Sequence, residues 1–328
     1  MSRIAVTGTA SFLGARVLRR LVELRGGEAI VAVDVAPPPS TLQGVTHRRL
    51  DLTEPASDQR LVEIFQQEGV DTVLHMALFT SPQRDKTHAH ELESIGSLSV
   101  FAAAAAAGVK HLLLRSFTAV YGARGQNPNF LTEDRALQPN LALGWARDKL
   151  EAEQHAAAFA KRYPEMAVTV LRTAPLFGPG VHTFYTALFD RRLVPVLMGY
   201  DPLVQLLHPD DAVVAFERAL DKRPRGAFNV VPRTAIPLLT ALHLSGKVTL
   251  PVLHPIAYAL ADGLWALGLG EGPGAFLDYA RYLFVADGQR AKRELGFEAR
   301  YGSREALDAY LRYRHPEGGA LEPVEARA

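Results

Sequence analysis

The chain has 328 residues, 48% of them hydrophobic, enough to bury a large core in one α/β domain or one domain with a smaller lobe. Its 36 basic and 35 acidic residues nearly cancel, so average charge gives no attraction to nucleic acid or to an anionic membrane surface. The lack of cysteine excludes disulfides, thiolate catalysis and cysteine metal sites, and the eleven histidines show no paired helical spacing, so no metal is expected.

The N-terminus runs into a strand-like segment, Arg3-Ile4-Ala5-Val6, with no charged leader or long apolar run, which makes a cytoplasmic location the expectation. Over the first two-thirds, short β-branched apolar runs alternate with helical patterns. Strands are predicted at 4–7, 29–34, 46–50, 72–75, 111–115 and 168–171, and helices at 12–24, 59–67, 90–107 and 141–162. Continuous apolar strands separated by helices predict a Rossmann-type, doubly wound parallel sheet covered on both faces.

Beyond Pro175 the pattern changes to Gly- and Pro-rich segments. Strands are predicted at 204–207 and 228–231, and helices at 210–220, 236–244, 255–267, 275–284, 289–295 and 304–312. They are expected to form a smaller mixed C-terminal lobe across the carboxyl edge of the sheet, where open α/β folds bind ligands. The boundaries expected are a core domain over 1–175, a substrate lobe with returning elements over 176–314, and a disordered tail over 315–328. Residues 250–269 are apolar with Asp262 as their one charged residue, but Pro251, Pro255 and nearby glycines favour a packed or surface-inserting hairpin over a membrane span.

The clearest motif is Val6-Thr7-Gly8-Thr9-Ala10-Ser11-Phe12-Leu13-Gly14, between the first strand and the first helix. Glycine permits positive φ in the turn, the helix start aims bare N–H groups at a pyrophosphate, and Gly14 lets the helix pack closely on the strand, which makes Gly8, Ser11, Phe12, Leu13 and Gly14 expected cofactor-binding residues. Asp34 ends the second strand twenty residues beyond Gly14. Its carboxylate can accept both ribose hydroxyls of an adenosine and would repel a 2′-phosphate. No arginine follows, since Val35, Ala36 and three prolines come next, so NAD is favoured over NADP. The bland alternative is a simple glycine turn with Asp34 capping a loop.

Taken in order, these residues resemble the extended short-chain dehydrogenase/reductase superfamily, in particular its NAD-dependent epimerase/dehydratase branch, over about residues 3–312. Thr7-Gly8 to Gly14 resembles the TGxxGxxG turn, and Val120-Tyr121-Gly122 the VYG signature. The resemblance implies that Asp51 and Leu52 contact adenine and that Met76 and Ala77 follow the next strand beside the cofactor. Lys149-Leu150-Glu151-Ala152-Glu153 resembles the segment starting at the catalytic lysine, Leu171-Arg172 through Phe177-Gly178-Pro179 the LRxxxxxGP loop, and His208-Pro209-Asp210-Asp211-Ala212 the late aspartate helix start. Family likeness also implies a homodimer built on the helices at 90–107 and 141–162.

Departures from the pattern fall on the chemistry. The resemblance implies a tyrosine four residues before the lysine, where this chain has Trp145, and a serine or threonine where it has Phe117. An indole N–H has no accessible proton chemistry near neutral pH. Ser11 replaces the middle glycine, Pro175 a common asparagine, and Glu93 another. Ser116 and Thr118 are the nearest remaining hydroxyls, with Ser116 the preferred substitute; Tyr185, Tyr200, His75, His182 and His208 are further candidates. Lys149 is read as a contact to the nicotinamide ribose, the alternative being an exposed lysine paired with Glu153.

The leading expectation is an NAD-binding protein whose usual hydride-transfer dyad is replaced: a non-standard enzyme, or a cofactor-dependent binding protein for a small-molecule ligand. The alternative is an active epimerase, dehydratase or dehydrogenase on a nucleotide-sugar or hydrophobic alcohol, using a substitute proton donor. A purely structural role fits poorly with Gly8, Gly14, Asp34 and Lys149 together.

Overall fold

The computed structural model describes residues 3–316, so all but the first two residues of the expected tail lie outside it. In chain order the elements are β1 (Arg3–Thr7), α1 (Phe12–Arg25), β2 (Ile30–Asp34), β3 (Thr46–Arg49), α2 (Ser57–Gln67), β4 (Val70–His75) and α3 (Lys86–His90). A π turn (Glu91–Ile95) joins α3 to α4 (Gly96–Ala106), followed by β5 (His111–Phe117), a 3-10 turn (Thr118–Tyr121), α5 (Gly144–Arg162) and β6 (Ala167–Thr173). Then come α6 (Phe184–Asp190), β7 (Leu193–Leu197), β8 (Leu203–Val204), α7 (Pro209–Lys222), β9 (Gly226–Val230) and β10 (Ile236–Pro237). The chain closes with α8 (Leu238–Leu244), β11 (Val248–Val252), α9 (His254–Ala266), a 3-10 turn (Gly274–Ala280), a second π turn (Ala291–Leu295) and α10 (Ser303–Arg314).

Seven strands form one parallel sheet in the order β3-β2-β1-β4-β5-β6-β9, the doubly wound α/β architecture that the alternating pattern predicts. Helices cover both faces, which is why strand residues such as Ala5, Val6, Ile30, Val31, Val73 and Leu113 are all apolar and buried. Strand order reverses between β1 and β4, so the ends of these two strands open a crevice at the carboxyl edge.

The second half does not stay in one lobe. β9 returns to pair with β6, and α7 packs against α1, while α6, β7, α8, β11 and α9 sit together at the carboxyl edge. Sequence pattern missed the parallel β7–β11 pair, because Pro195 and Pro251 lie inside these strands and proline argues against a strand interior. The predicted helix at 90–107 is broken by the π turn, and those at 275–284 and 289–295 are 3-10 and π turns instead.

The apolar stretch 250–269 is no hairpin. Its start belongs to β11 and the rest is α9, which has no fully buried residue and leaves Leu253, Ile256 and Leu260 about half exposed. Among the described residues no helix is long and apolar enough to cross a membrane.

Candidate active site

The crevice beside β1 holds a cavity of about 530 Å³, lined by Gly8, Ser11, Phe12, Leu13, Asp34, Asp51, Leu52 and Ala77 among others. Of the expected cofactor contacts, Gly14, Met76 and Lys149 are not part of this lining, and Met76 and Lys149 are fully buried. Gly8 has φ +73°, and a Cβ there would lie 2.5 Å from the Ala77 nitrogen, so backbone approaches backbone as no other residue would allow. A Cβ on Gly14 would fall 2.1 Å from the Gly8 carbonyl, which fixes the close docking of α1 on the turn.

Ser11 explains how the middle glycine of the turn can be absent. Its hydroxyl caps α1 by accepting from the Gly14 N–H at 3.1 Å and donates to the Gly8 carbonyl at 2.8 Å, so the side chain is folded into the turn. The first-turn N–H groups of Phe12 and Leu13 remain as donors at the positive end of the helix. Asp34 accepts from the Ala10 N–H at 2.9 Å and the Ala36 N–H at 3.3 Å, which aims its carboxylate across the mouth of the turn. At the other wall Asp51 accepts from Thr53 N at 2.9 Å and Thr53 Oγ1 at 2.8 Å, and the backbone bond above all holds its carboxyl below the usual range. Glycine cradle, helix start and acid together fit the adenosine diphosphate half of a dinucleotide.

The inner end of this crevice meets a second, smaller cavity of about 40 Å³, with Arg115, Thr80, Leu176 and Thr183 lining both. Phe117, Trp145, Phe184, Tyr185, Phe276, Tyr279 and Phe284 wall it. Trp145 packs edge-on to Phe276 at 5.3 Å and 6.1 Å from Phe117, and its indole N–H donates to the Phe79 carbonyl at 3.0 Å. The ring is thereby fixed as a wall.

Lys149 is buried, one turn along α5, with its Nζ 4.5 Å from the Trp145 ring and 5.0 Å from the Phe117 ring. The same ammonium donates to both Glu93 oxygens, at 2.8 and 3.0 Å, and the Phe79 N–H donates to Glu93 as well. Burial pushes the Glu93 carboxyl up and the Lys149 ammonium down, and their mutual attraction opposes both shifts. Lys149 therefore pairs with Glu93 in the interior, not with Glu153 on an exposed face.

Ser116 is not brought to either cavity. Strand alternation sends Arg115 and Phe117 toward the cleft and Ser116 the other way, where its hydroxyl donates to Glu153. Glu153 also grips Arg172 at 2.7 Å, and Arg172 in turn donates to the Tyr121 hydroxyl at 2.8 Å, so Ser116 and Tyr121 belong to a buried polar network behind the sheet. Thr118 and Tyr185 do line the small cavity, whereas the Tyr200 hydroxyl accepts from Arg281 at 2.6 Å away from it.

His75 bridges Thr7 Oγ1 at 2.6 Å and Ser97 Oγ at 2.9 Å, and burial pushes it down to about 3, so the imidazole is uncharged near neutral pH. His208 caps α7 by accepting from the Asp210 N–H at 3.2 Å, and burial lowers it too. His182 lines the larger cavity. One trio with ligand-like spacing, His90, Asp148 and Glu151, is present among the described residues, but Arg147 donates to Asp148 and Ser94 donates to Glu151.

Comparison with known proteins adds descent to geometry. A profile of the NAD-dependent epimerase/dehydratase family matches residues 4–230. A Mycobacterium tuberculosis protein of uncharacterized function, Rv0501, is 31% identical over 98% of this chain and 85% of its own. The chain belongs to the NAD-dependent epimerase/dehydratase family. Within that family it is 25% identical to a probable UDP-glucuronate 4-epimerase of Rhizobium meliloti, over 73% of this chain and 74% of the relative. Its fold is similar to that of MoeE5, solved with UDP-glucuronic acid and NAD, with a TM-score of 0.72 and 24% identity over 97% of this chain and 100% of the other. For this family member, sequence reasoning missed Arg115, Phe276 and Tyr279. The one available signal was an arginine closing the apolar run Leu112-Leu113-Leu114.

Proposed function

We propose that this family member binds NAD in the larger cavity while Trp145 and Phe117 replace the hydroxyl pair that would handle the substrate proton. It is then a non-standard enzyme or a cofactor-dependent binding protein. Gly8, Phe12, Leu13 and Asp34 would hold the dinucleotide, which when bound supplies hydride-transfer chemistry. The observation that carries the reading is Lys149, whose ammonium is committed to Glu93 and to two aromatic faces and meets no phenol.

The 40 Å³ cavity beside these rings has room for only a few atoms, too few for a sugar ring, and its exposed wall is mainly apolar. A hydrophobic ligand suits it better. A second reading, an active oxidoreductase on such a ligand, is favoured by Thr118 and Tyr185 on the cavity wall. Burial drives the Tyr185 hydroxyl well above its ordinary pKa, which keeps it protonated as a hydrogen-bond donor and excludes it as a base.

The proposal extends to a homodimer through α4 and α5, where Ile95 and Leu98 stand exposed at the start of α4. NAD titration by thermal shift tests the cofactor assignment. A ligand bound by the native state alone raises the melting temperature, and 100 Kd of NAD adds about 2.7 kcal/mol of stability. No shift with NAD overturns the proposal.

A further inference from the structure

Arg115 is 1% exposed at the carboxyl end of β5, and neither its Nε nor its Nη2 has a hydrogen-bond partner. Its recorded contact is with the Phe117 ring, 4.8 Å from the guanidinium carbon. Glu93, the carboxylate whose charge acts on Arg115, already accepts from Lys149 and from the Phe79 N–H, so it does not pair with the guanidinium. The Tyr185 hydroxyl is likewise buried without a partner. Both residues line the 40 Å³ cavity, and a native core does not hold two such donors without reason.

The free atoms of Arg115 define what would satisfy them. Nε and Nη2 form one edge of the guanidinium, a fork that matches the two oxygens of a carboxylate. The chain uses this same edge elsewhere: Arg172 holds Glu153 through Nε to Oε1 at 3.1 Å and Nη2 to Oε2 at 2.7 Å.

We propose that the small cavity seats the carboxylate of an otherwise apolar ligand, gripped by Arg115 and hydrogen-bonded by Tyr185, with the ligand's hydrocarbon against Trp145 and Phe276. Phe184 and Phe276 also wall an apolar groove of about 200 Å³ bounded by α8 and α9, so a chain leaving the carboxylate has hydrocarbon surface to follow. This deepens the reading of a hydrophobic ligand beside the cofactor and rests on it for the location of the cofactor cleft. A buried guanidinium left unpaired in the empty protein is a cost to stability that a binding site retains for its ligand.

The chain has two tryptophans, so a Trp265→Phe background leaves Trp145 as the fluorescent reporter in the cavity wall. In that background the probes are hexanoate and 1-hexanol, each titrated with and without saturating NAD, with NAD binding followed separately by melting temperature. Hexanoate is expected to bind at least tenfold more tightly than 1-hexanol. Arg115→Met is expected to lose at least tenfold in hexanoate affinity, keep its 1-hexanol affinity, and melt higher than the parent when empty. Tyr185→Phe is expected to weaken hexanoate several-fold. Equal binding of acid and alcohol, unchanged hexanoate affinity in Arg115→Met, or a lowered melting point or failed folding of that variant would each overturn the assignment, the last two because they make Arg115 structural. Loss of the NAD response in the parent with hexanoate binding intact would overturn the cofactor reading alone.

Discussion

Position 145 decides what Lys149 can do. With an indole one turn before it, the lysine has no acidic hydroxyl to polarise and instead neutralises Glu93 inside the protein. Trp145→Tyr supplies a phenol within reach of the ammonium and opens the cavity by the difference in ring size. If the remaining residues still place a substrate, this variant is expected to gain NADH formation above the parent, read at 340 nm with NAD and a hydrophobic alcohol. Gly8→Ala acts at the other end of the cleft. It must place a Cβ 2.5 Å from the Ala77 nitrogen at φ +73°, so a loss of at least about 2 kcal/mol in urea unfolding is expected, with a weakened NAD response.

His75 supplies a residue-level pH dependence. Its folded-state pKa is pushed down to about 3 from 6.5, so between those values the unfolded chain binds more protons and stability falls as pH falls. Replacement by glutamine is expected to flatten the acid limb by about 1.4 kcal/mol per pH unit below pH 6.5, measured by denaturant unfolding across pH 4 to 7.

Among the elements, the π turn at Glu91–Ile95 has the most direct bearing on the site. An extra residue in the helical turn rotates Glu93 inward, where its carboxylate meets Lys149 of α5 and the Phe79 N–H. Glu93→Gln leaves the ammonium buried without its counter-charge and is expected to cost about 3–5 kcal/mol in urea unfolding. Adding Lys149→Met is expected to recover much of that loss, because the two sites are in contact and their effects are not additive. The cleft was legible because the glycine turn, the start of α1 and Asp34 at the end of β2 are encoded by local order: strand, turn, helix, strand. The small cavity was not. Its walls come from β5, α5, α6 and the turn at Gly274–Ala280, which only tertiary packing brings together. Ser116 was misplaced for a related reason: alternation says that neighbours in β5 face opposite ways, but which way faces the cleft is set by packing against α5. β7 and β11 escaped detection because their prolines mimic loop sequence.

At the scale of the molecule, the parallel sheet presents a dinucleotide cleft at its switch point, and aromatic rings from β5, α5, α6 and the turn at Gly274–Ala280 wall its inner end. If the proposed dimer forms through α4 and α5, sedimentation of the full chain gives twice the 35.8 kDa mass, and Ile95→Lys with Leu98→Lys returns it to monomer. The most direct measurement of the central claim is turnover by the NAD-saturated protein, followed at 340 nm with hydrophobic alcohols and by product analysis with nucleotide-sugars, whose epimerisation or dehydration is redox-neutral and leaves no net NADH. The account predicts a clear NAD-dependent rise in melting temperature with neither sustained NADH formation nor a converted sugar; steady turnover through a proton-transfer step by the unmodified chain would contradict it.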